Sequence, residues 1–333
     1  MDQLSFSFEP PQPSPAPAPA WPAAVLGPEQ MAQVLEQHAD YKVLRRLVPK
    51  ADYGPAPADL VDADVRRLLV LDTETTGLSH QADKIIELAM LSVQVDSRSG
   101  LPFGPVAVFE GFEDPGMPIP AIAQQVTGIT DDMVRGQRLD DDAVTAMVAA
   151  ADLVVAHNAG FDRPFVEARF AAFGDKAWAC SFADIDWKAA GAESAKLSAL
   201  AQDRGWFYDA HRAQVDCHAL LQVLCEPVGE SGQNGLALLM AAAQRPSFKL
   251  RATGAPFEAK DKLKARGYRW DGEARVWYCG LGGEEPLAAE LGWLRAEVYG
   301  SRQARVELEA LDGLVRYSAR PGEKRQEEVP PAA

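Results

Sequence analysis

The chain has 333 residues, of which 47% are hydrophobic and 24% are charged, and its formal net charge is −15. This length allows one large domain and one smaller domain, each with its own core. The charge excludes a protein that binds nucleic acid through an overall positive surface, so any chemistry on phosphates would need locally bound divalent cations.

The N-terminal region precedes the first domain. Residues 1–28 contain eight prolines, which predicts an extended, disordered arm. In residues 29–61, apolar side chains recur at helical spacing as far as Leu47, and a segment rich in Pro, Gly and Ala then interrupts the pattern. We expect a helix that packs against the following residues, and then a linker.

Residues 62–228 are predicted to form the first domain. Three apolar runs (67–73, 84–96 and 105–114) indicate strands, joined as a meander by turn-forming residues. A helix, a strand and three further helices are then expected at 140–150, 152–156, 161–173, 196–204 and 213–224. This order predicts an α/β fold in which helices flank a mixed sheet.

Residues 229–244 are interpreted as a linker or helix, and 245–318 as a smaller, basic α+β domain. Its pattern predicts a strand, a helix and a hairpin that turns at Asp271 and Gly272. From residue 244 to 280 there are nine Lys and Arg against four Asp and Glu, a local charge of 9 − 4 = +5. Residues 319–333 are polar and are expected to form a disordered tail.

Asp72 and Glu74 stand at the end of the first predicted strand. Side chains two residues apart on a strand point the same way, so these carboxylates should project together while Thr73 faces the opposite side. Paired carboxylates suit the hard ions Mg²⁺ and Mn²⁺. Taken alone, however, acidic residues at strand ends are usually only solvated.

Two later segments add a histidine and two carboxylates. Asp162 follows a strand and a His-Asn-Ala-Gly turn, near the start of a helix, where an acidic residue can simply interact with the helix dipole. His211 precedes Asp216 by five residues, so on one continuous helix their side chains would diverge by about 140°. If His211 lies in the preceding loop, both can face one site.

The order of these segments is more specific than any one of them. DTETTG, HNAGFD and His-x-x-x-x-Asp resemble the three motifs of the DEDDh (DnaQ-like) 3′-5′ exonucleases, a family that includes the epsilon proofreading subunit of bacterial DNA polymerase III. The resemblance runs from about Arg67 to Cys225, and all five key positions are intact. It implies a ribonuclease-H-like fold.

The resemblance also implies a mechanism. Asp72, Glu74, Asp162 and Asp216 would hold two Mg²⁺ or Mn²⁺ ions, which clamp the attacking and leaving oxygens of an in-line displacement. His211 would be the general base that takes a proton from the attacking water. The products would be nucleoside 5′-monophosphates released from the 3′ end of DNA, in repair or proofreading.

Further residues are expected to contact the substrate. Backbone groups of Thr75, Thr76 and Gly77 should approach the terminal nucleotide, with Leu78 as a wedge against its base. His157 and Asn158 are placed at the substrate by the second motif. Phe161 could stack on a base, although an aromatic residue at a helix start is more often part of a core. The expected contact residues are therefore Thr75, Thr76, Gly77, Leu78, His157, Asn158 and Phe161.

Two regions outside the motifs indicate partners. In the basic domain, aromatic residues alternate with Lys and Arg around the hairpin, a mixture that fits either a core or single-stranded nucleic-acid binding. Near the N-terminus, the pattern Gln-x-x-Phe-x-Phe at residues 3–8 resembles sliding-clamp-binding peptides, although short matches arise by chance in such segments. Single-stranded or frayed DNA 3′ ends are expected as the substrate, and a polymerase partner is a further expectation.

Alternatives remain at this point. The motifs indicate metal-dependent chemistry but do not show whether the substrate contains ribose or deoxyribose. An RNA or short-oligonucleotide exonuclease is therefore the nearest rival function, followed by a non-catalytic binding subunit. No apolar run approaches the roughly 18 residues that cross a bilayer. The four cysteines, Cys180, Cys217, Cys225 and Cys279, form no CxxC pair. We therefore expect no membrane contact and a reducing, cytoplasmic location.

Overall fold

The computed structural model describes residues 26–329, so the proposed clamp-binding motif at residues 3–8 lies outside the described residues. The chain comprises two compact units, Met1–Leu44 and Arg45–Ala333. In the first unit, helix α1 (Pro28–Glu36) starts with proline, which suits the first helical turn, and none of its residues is buried.

The predicted continuation of this helix to Leu47 is wrong. Arg45 and Arg46 form strand β1 (Arg45–Arg46), which pairs in parallel with Trp206–Phe207. The N–H groups of Arg45 and Leu47 donate to the carbonyl oxygens of Gly205 and Phe207. These groups serve a strand ladder and are therefore not available to a helix.

The larger sheet of the second unit has five strands in the order β4-β3-β2-β5-β6. The first three form the predicted antiparallel meander, and β5 and β6 run parallel to β2. This mixed sheet agrees with the predicted fold class. The strands of the meander and its extension, with the short partner of β1, are β2 (Val65–Thr75), β3 (Ile85–Asp96), β4 (Pro102–Phe112), β5 (Leu153–Ala156), β6 (Ala177–Cys180) and β7 (Trp206–Phe207).

Helices cover both faces of this sheet. Leu68 and Val70 on β2 belong to one core cluster, whereas Leu69 and Leu71 belong to another on the opposite face. Successive side chains of β2 therefore alternate between two cores, and the strand is buried on both faces. The helices are α2 (Ala121–Thr127), α3 (Asp131–Val134), α4 (Asp141–Ala150), α5 (Ala159–Arg169), α6 (Ser181–Asp184), α7 (Leu197–Asp203), α8 (Ala213–Cys225) and α9 (Gly235–Gln244).

The smaller sheet is wholly antiparallel, with the order β12-β11-β8-β10-β9. The hairpin predicted at Asp271 and Gly272 is confirmed, since it joins β9 to β10. Two helices pack with this sheet around a separate core cluster. The elements are β8 (Ser247–Ala252), α10 (Lys260–Ala265), β9 (Arg269–Asp271), β10 (Val276–Leu281), α11 (Glu284–Leu294), β11 (Arg305–Leu311) and β12 (Glu323–Glu328).

The disordered tail predicted for residues 319–333 is wrong where β12 forms. β12 pairs with β11 over six residues and is an edge strand of the sheet. Its sequence, EKRQEE, does not alternate apolar and polar residues. This edge strand is held instead by backbone pairing and by ion pairs such as Arg305–Glu328.

Residues 312–320 lie between β11 and β12 of the smaller sheet and contact helix α5, which covers the larger sheet. Arg163 on α5 is fully buried, and its guanidinium donates to the carbonyl oxygens of Gly313, Leu314 and Arg316. Helix α9, part of the predicted linker, contributes Leu236 to the core of the larger sheet. In the described part of the chain, no helix has the length and apolar content that a bilayer crossing requires.

Candidate active site

The end of β2 presents two carboxylates to the first turn of α8. Asp72 and Glu74 continue the face of Leu68 and Val70, the face against which α8 packs. Oxygens of Asp72, Glu74 and Asp216 lie within 4.8 Å of one another, a grouping that could hold a metal ion. The expected shared orientation of Asp72 and Glu74 therefore exists in the structure.

Asp162 approaches the same place from the other side of β2. It lies in the first turn of α5 and is 2% exposed. Its Oδ1 accepts hydrogen bonds from the Thr73 hydroxyl at 2.7 Å and from the Thr73 N–H at 3.2 Å. Thr73, which faces away from Asp72 and Glu74 as expected, thus fixes the fourth carboxylate.

All four carboxylates line one open cleft with a volume of about 660 Å³. His211 and three of the expected substrate contacts, His157, Asn158 and Phe161, also line it. The remaining wall contains side chains that the motifs did not indicate. The lining is Asp72, Thr73, Glu74, His157, Asn158, Phe161, Asp162, Phe182, Lys196, Leu197, Ser198, Tyr208, Ala210, His211 and Asp216.

The loop before α8 holds His211 beside Asp216. The helix begins at Ala213, so His211 lies outside it, with a left-handed φ of 69°. The Asp216 Oδ2 accepts hydrogen bonds from the His211 N–H at 2.8 Å and the Arg212 N–H at 3.2 Å. The structure therefore has the arrangement in which histidine and carboxylate face one site.

Burial and mutual repulsion make the carboxylates difficult to ionise. Burial, followed by repulsion from Asp162, Asp216 and Glu74, raises the pKa of Asp72 well above its usual value. Burial, followed by repulsion from Asp216, Glu87 and Asp162, raises the pKa of Glu74 to about 8. Burial also raises the pKa of Asp162 and of Asp216. A bound divalent cation would offset this clustered charge, so the donor set fits a metal of this type.

The turn after β2 is less open to substrate than expected. The Thr76 N–H donates to the Lys84 carbonyl oxygen, and the Thr76 hydroxyl donates to Asp83. Thr75, which is also buried, donates its hydroxyl to the Gly77 carbonyl oxygen. Leu78 is 88% exposed. Residues 75–78 are outside the cleft lining, and their substrate contacts stay a prediction.

His157 and Phe161 each have structural contacts in addition to their place in the cleft. The His157 Nδ1 lies 2.6 Å from the Ser181 hydroxyl, and burial lowers the pKa of His157 to about 4, which keeps its ring neutral. Phe161 packs against Phe165 with ring centroids 5.1 Å apart. Phe161 is thus both a core residue and part of the cleft wall.

Sequence reasoning missed three residues that support the site. Glu87 is fully buried and stands opposite Glu74 in the β2–β3 register. The Arg212 guanidinium donates to Glu87 through Nε and Nη2, and the Ala213 N–H donates to Glu87 as well. The Tyr208 hydroxyl hydrogen-bonds to Asp216. Glu87 could have been found from the sequence, because it is a charged residue inside the apolar run IIELAML.

Comparison with known proteins places this cleft in a family. Residues 69–224, which contain every carboxylate described above and His211, match the family model described as Exonuclease. The chain contains a DnaQ-like exonuclease domain. This result confirms the resemblance, and the ribonuclease-H-like fold class with it.

The curated relatives are much longer proteins. The exonuclease domain is 39% identical over 107 residues to the DNA polymerase III PolC-type of Listeria welshimeri, an alignment that covers 32% of this chain and 7% of the relative. It is 37% identical over 125 residues to the same type of protein in Halalkalibacterium halodurans, covering 37% and 8%. The matched part is thus less than a tenth of either relative.

A solved structure also matches the exonuclease domain. Exonuclease X in complex with 5′ overhanging duplex DNA is 26% identical, and the alignment covers 47% of this chain and 89% of that chain, with a TM-score of 0.38.

Proposed function

We propose that the exonuclease domain removes nucleoside 5′-monophosphates from 3′ ends of DNA, in repair or proofreading. The observation that carries this proposal is the convergence of four carboxylates and His211 on one cleft. The relatives, which are named as DNA polymerases, support DNA as the substrate. An unpaired or frayed 3′ end suits a cleft that is open on one side.

The proposed cofactors are two Mg²⁺ or Mn²⁺ ions. Asp72, Glu74 and Asp216 would hold one ion, and Asp162, together with Asp72, would complete the second site. Such ions stabilise the attacking and leaving oxygens of an in-line displacement. The carboxylates are preorganised for this role because Thr73 fixes Asp162 and the loop N–H groups fix Asp216.

His211 is the proposed general base. Its ring is exposed at the cleft, where it can accept a proton from the attacking water and pass it to solvent. Asp216 holds the backbone of His211, so this carboxylate has a second role as organiser of the loop. Tyr208 donates to Asp216 and limits its rotation.

The aromatic and basic side chains that line the cleft are proposed to hold the terminal nucleotide. Phe182 is 50% exposed and contacts the edge of His157, which gives a surface on which a base can stack. Phe161 would close the same side. Lys196, which also lines the cleft, is positioned to contact a phosphate. Residues 75–78, with Leu78 at the exposed tip, would contact the strand outside the cleft.

The decisive experiment compares 5′-labelled single-stranded DNA, mismatched primer–template and RNA, with Mg²⁺, with Mn²⁺ and with a chelator. Stepwise shortening from the 3′ end, release of nucleoside 5′-monophosphates and abolition by the chelator are expected. Faster shortening of RNA would identify the rival substrate. Immediate release of the 5′ label, or no shortening of any substrate, would contradict the proposal.

Two variants and one control assign the roles. Asp216→Asn and His211→Gln should each lower the rate by about 10² to 10⁴-fold, the range for loss of acid–base or charge stabilisation in a site. Asp209→Asn is the matched control, because Asp209 is exposed and pairs with Arg46 outside the cleft lining. Its rate should equal that of the wild type.

A further inference from the structure

The part of the chain from residue 244 to 280 has a local charge of 9 − 4 = +5 within a chain of net charge −15. It includes β8, α10 and the β9–β10 hairpin of the smaller sheet. The exonuclease family model matches residues 69–224 and does not extend into this segment. Its charge is therefore a property that the exonuclease domain does not explain.

The structure divides the aromatic residues of this segment into two groups. Tyr268 is 3% exposed and stacks on Trp293, and Trp277 packs with the core, so these two rings are structural. Trp270, on edge strand β9, is 52% exposed, and Phe257, just before α10, is 77% exposed. The two exposed rings stand before and after α10 in the chain.

The basic residues divide in the same way. Arg251, Lys262 and Arg266 form ion pairs with glutamates of β11, α11 or the turn that follows α11. A second set of basic side chains is exposed and forms no ion pair with any carboxylate in residues 26–329. On α10 and the β9–β10 hairpin, this set consists of Lys260, Lys264, Arg269 and Arg275.

The exposed rings and the exposed cations lie on adjoining elements of the chain, α10 with the residues just before it and the β9–β10 hairpin. The Tyr268 N–H donates to the Leu263 carbonyl oxygen, which places the start of β9 directly beside the end of α10. Lys260 lies over the Phe257 ring at 4.6 Å, and the Trp270 ring lies against Trp277 with centroids 5.4 Å apart. We name this the α10–hairpin surface: Phe257, Lys260, Lys264, Arg269, Trp270 and Arg275.

The acidic residues of the segment do not neutralise this surface. Asp271 accepts hydrogen bonds from the N–H groups of Glu273 and Ala274 and stabilises the hairpin turn. Glu258, Asp261 and Glu273 are exposed and leave an excess of positive charge. Arg275 has a left-handed φ of 52° and projects from the turn itself.

We propose that the α10–hairpin surface binds single-stranded nucleic acid, and this proposal rests on the proposed function for the identity of the polymer. Unpaired Lys and Arg side chains would contact phosphates, and Trp270 and Phe257 would each stack on a base. Exposed aromatic planes beside the cations favour a nucleic acid over an acidic peptide, because every base presents a ring face. The bound strand would be held on the same compact unit as the catalytic cleft.

The test uses the full chain with Asp72→Asn, in chelator, and measures the fluorescence anisotropy of a labelled thymidine oligonucleotide of about 20 nucleotides. Trp270→Ala should weaken binding about tenfold, the effect of losing one stacked base. Because Trp270 also contacts Trp277, the pair Arg269→Glu and Arg275→Glu provides a test that leaves the ring contact intact. It should weaken binding at least tenfold and make the salt dependence shallower by about 0.7 per lost phosphate contact.

The control is Arg325→Glu, one charge reversal of the same type on β12 at the opposite edge of the sheet. Arg325 is half exposed, forms an ion pair with nearby Glu327 and lies over the Phe248 ring at 5.9 Å, so its loss should leave affinity and salt dependence within twofold of the parent. Equal loss in this control, or unchanged affinity in both surface variants, would overturn the proposal. A labelled acidic peptide that displaces the oligonucleotide in the parent but not in the surface variants would also overturn the commitment to nucleic acid.

A second measurement separates this proposal from the proposed function. In the otherwise wild-type chain with Mg²⁺, a labelled trinucleotide and a long single strand are compared as substrates. The Arg269→Glu, Arg275→Glu pair should hydrolyse the trinucleotide normally but lose processivity on the long strand. If no chain hydrolyses either substrate, the exonuclease proposal fails, while the binding result in chelator still decides the α10–hairpin surface.

Discussion

The two five-stranded sheets of this protein place their charged residues in opposite ways. In the larger sheet, carboxylates gather at the end of central strand β2, where they are partly or fully buried and close enough to repel one another. In the smaller sheet, unpaired cations lie around edge strand β9, exposed to solvent. Side chains at the centre of a sheet are held in fixed positions by their neighbours, whereas side chains at its edge offer exposed area for contact with a ligand.

This difference supports the proposal that a chain of net charge −15 acts on a polyanion. Four carboxylates are concentrated in one cleft, where divalent cations would offset their negative charge. The positive charge is concentrated on another surface of the same unit. Net charge alone describes neither region.

The largest expected effect comes from the centre of the larger sheet. Asp72→Asn should lower exonuclease rates about 10³-fold, because loss of metal-mediated charge stabilisation costs several kcal/mol. The same change removes repulsion from the cluster and should raise the melting temperature in chelator. Asp132→Asn, a change at an 83%-exposed carboxylate paired with Arg135, is the control and should alter neither quantity. A melting temperature that falls in Asp72→Asn would contradict the role of repulsion.

The link between the two sheets should have the next largest effect. Arg163→Met removes one donor each from the carbonyl oxygens of Gly313, Leu314 and Arg316, and should lower the free energy of unfolding by about 3 kcal/mol. Urea unfolding followed by circular dichroism measures this change. Arg320→Met, at a side chain that is 47% exposed, should cost about 1 kcal/mol or less. Equal losses in the two variants would show that the buried guanidinium has no special role.

The pH dependence of stability should reverse when metal is removed. Folding raises the pKa of Glu74 to about 8 and raises the pKa of Asp72, so the protonated forms favour the folded state. This contribution is complete below the unfolded pKa of about 4 and is lost as pH rises through the folded value. In chelator, stability should therefore fall by about 2 kcal/mol between pH 5 and pH 8.

Mg²⁺ supplies the matched comparison for that pH series. Bound cations favour the ionised carboxylates, so melting temperatures at pH 8 should rise with Mg²⁺ and change little at pH 5. Asp72→Asn should flatten the curve measured in chelator. A stability that rises from pH 5 to pH 8 in chelator would show that the cluster is ionised without metal.

The smallest expected effect concerns the residue that positions α8. Glu87→Gln weakens the contact with Arg212 and should lower kcat about tenfold, with little change in KM, because it shifts residues that support the metal ligands. Glu110→Gln is the control, since Glu110 is more exposed and lies 3.6 Å from the same guanidinium. Single-turnover rates of the two variants decide between positioning and a general effect of charge.

Several features of the fold and site were predictable from local patterns. Strand alternation placed Asp72 and Glu74 on one face, and turn chemistry located the hairpin at Asp271. The motifs, read through the family resemblance, identified the residues that meet in the cleft. By contrast, α1 was predicted too long and β12 was missed, because helical spacing and polar edge strands are weak local signals.

The sequence by itself determined which residues are proposed to carry chemistry, since residue type, spacing and strand period are local properties. Only the tertiary structure decided what holds them in place. Thr73 fixes Asp162 across 89 positions of the chain, and Glu87 pairs with Arg212 across 125. The same holds for Trp270 and Trp277, where burial and exposure separated a surface ring from a core ring. Such pairings depend on how distant segments pack, which no local pattern of apolar and polar residues records.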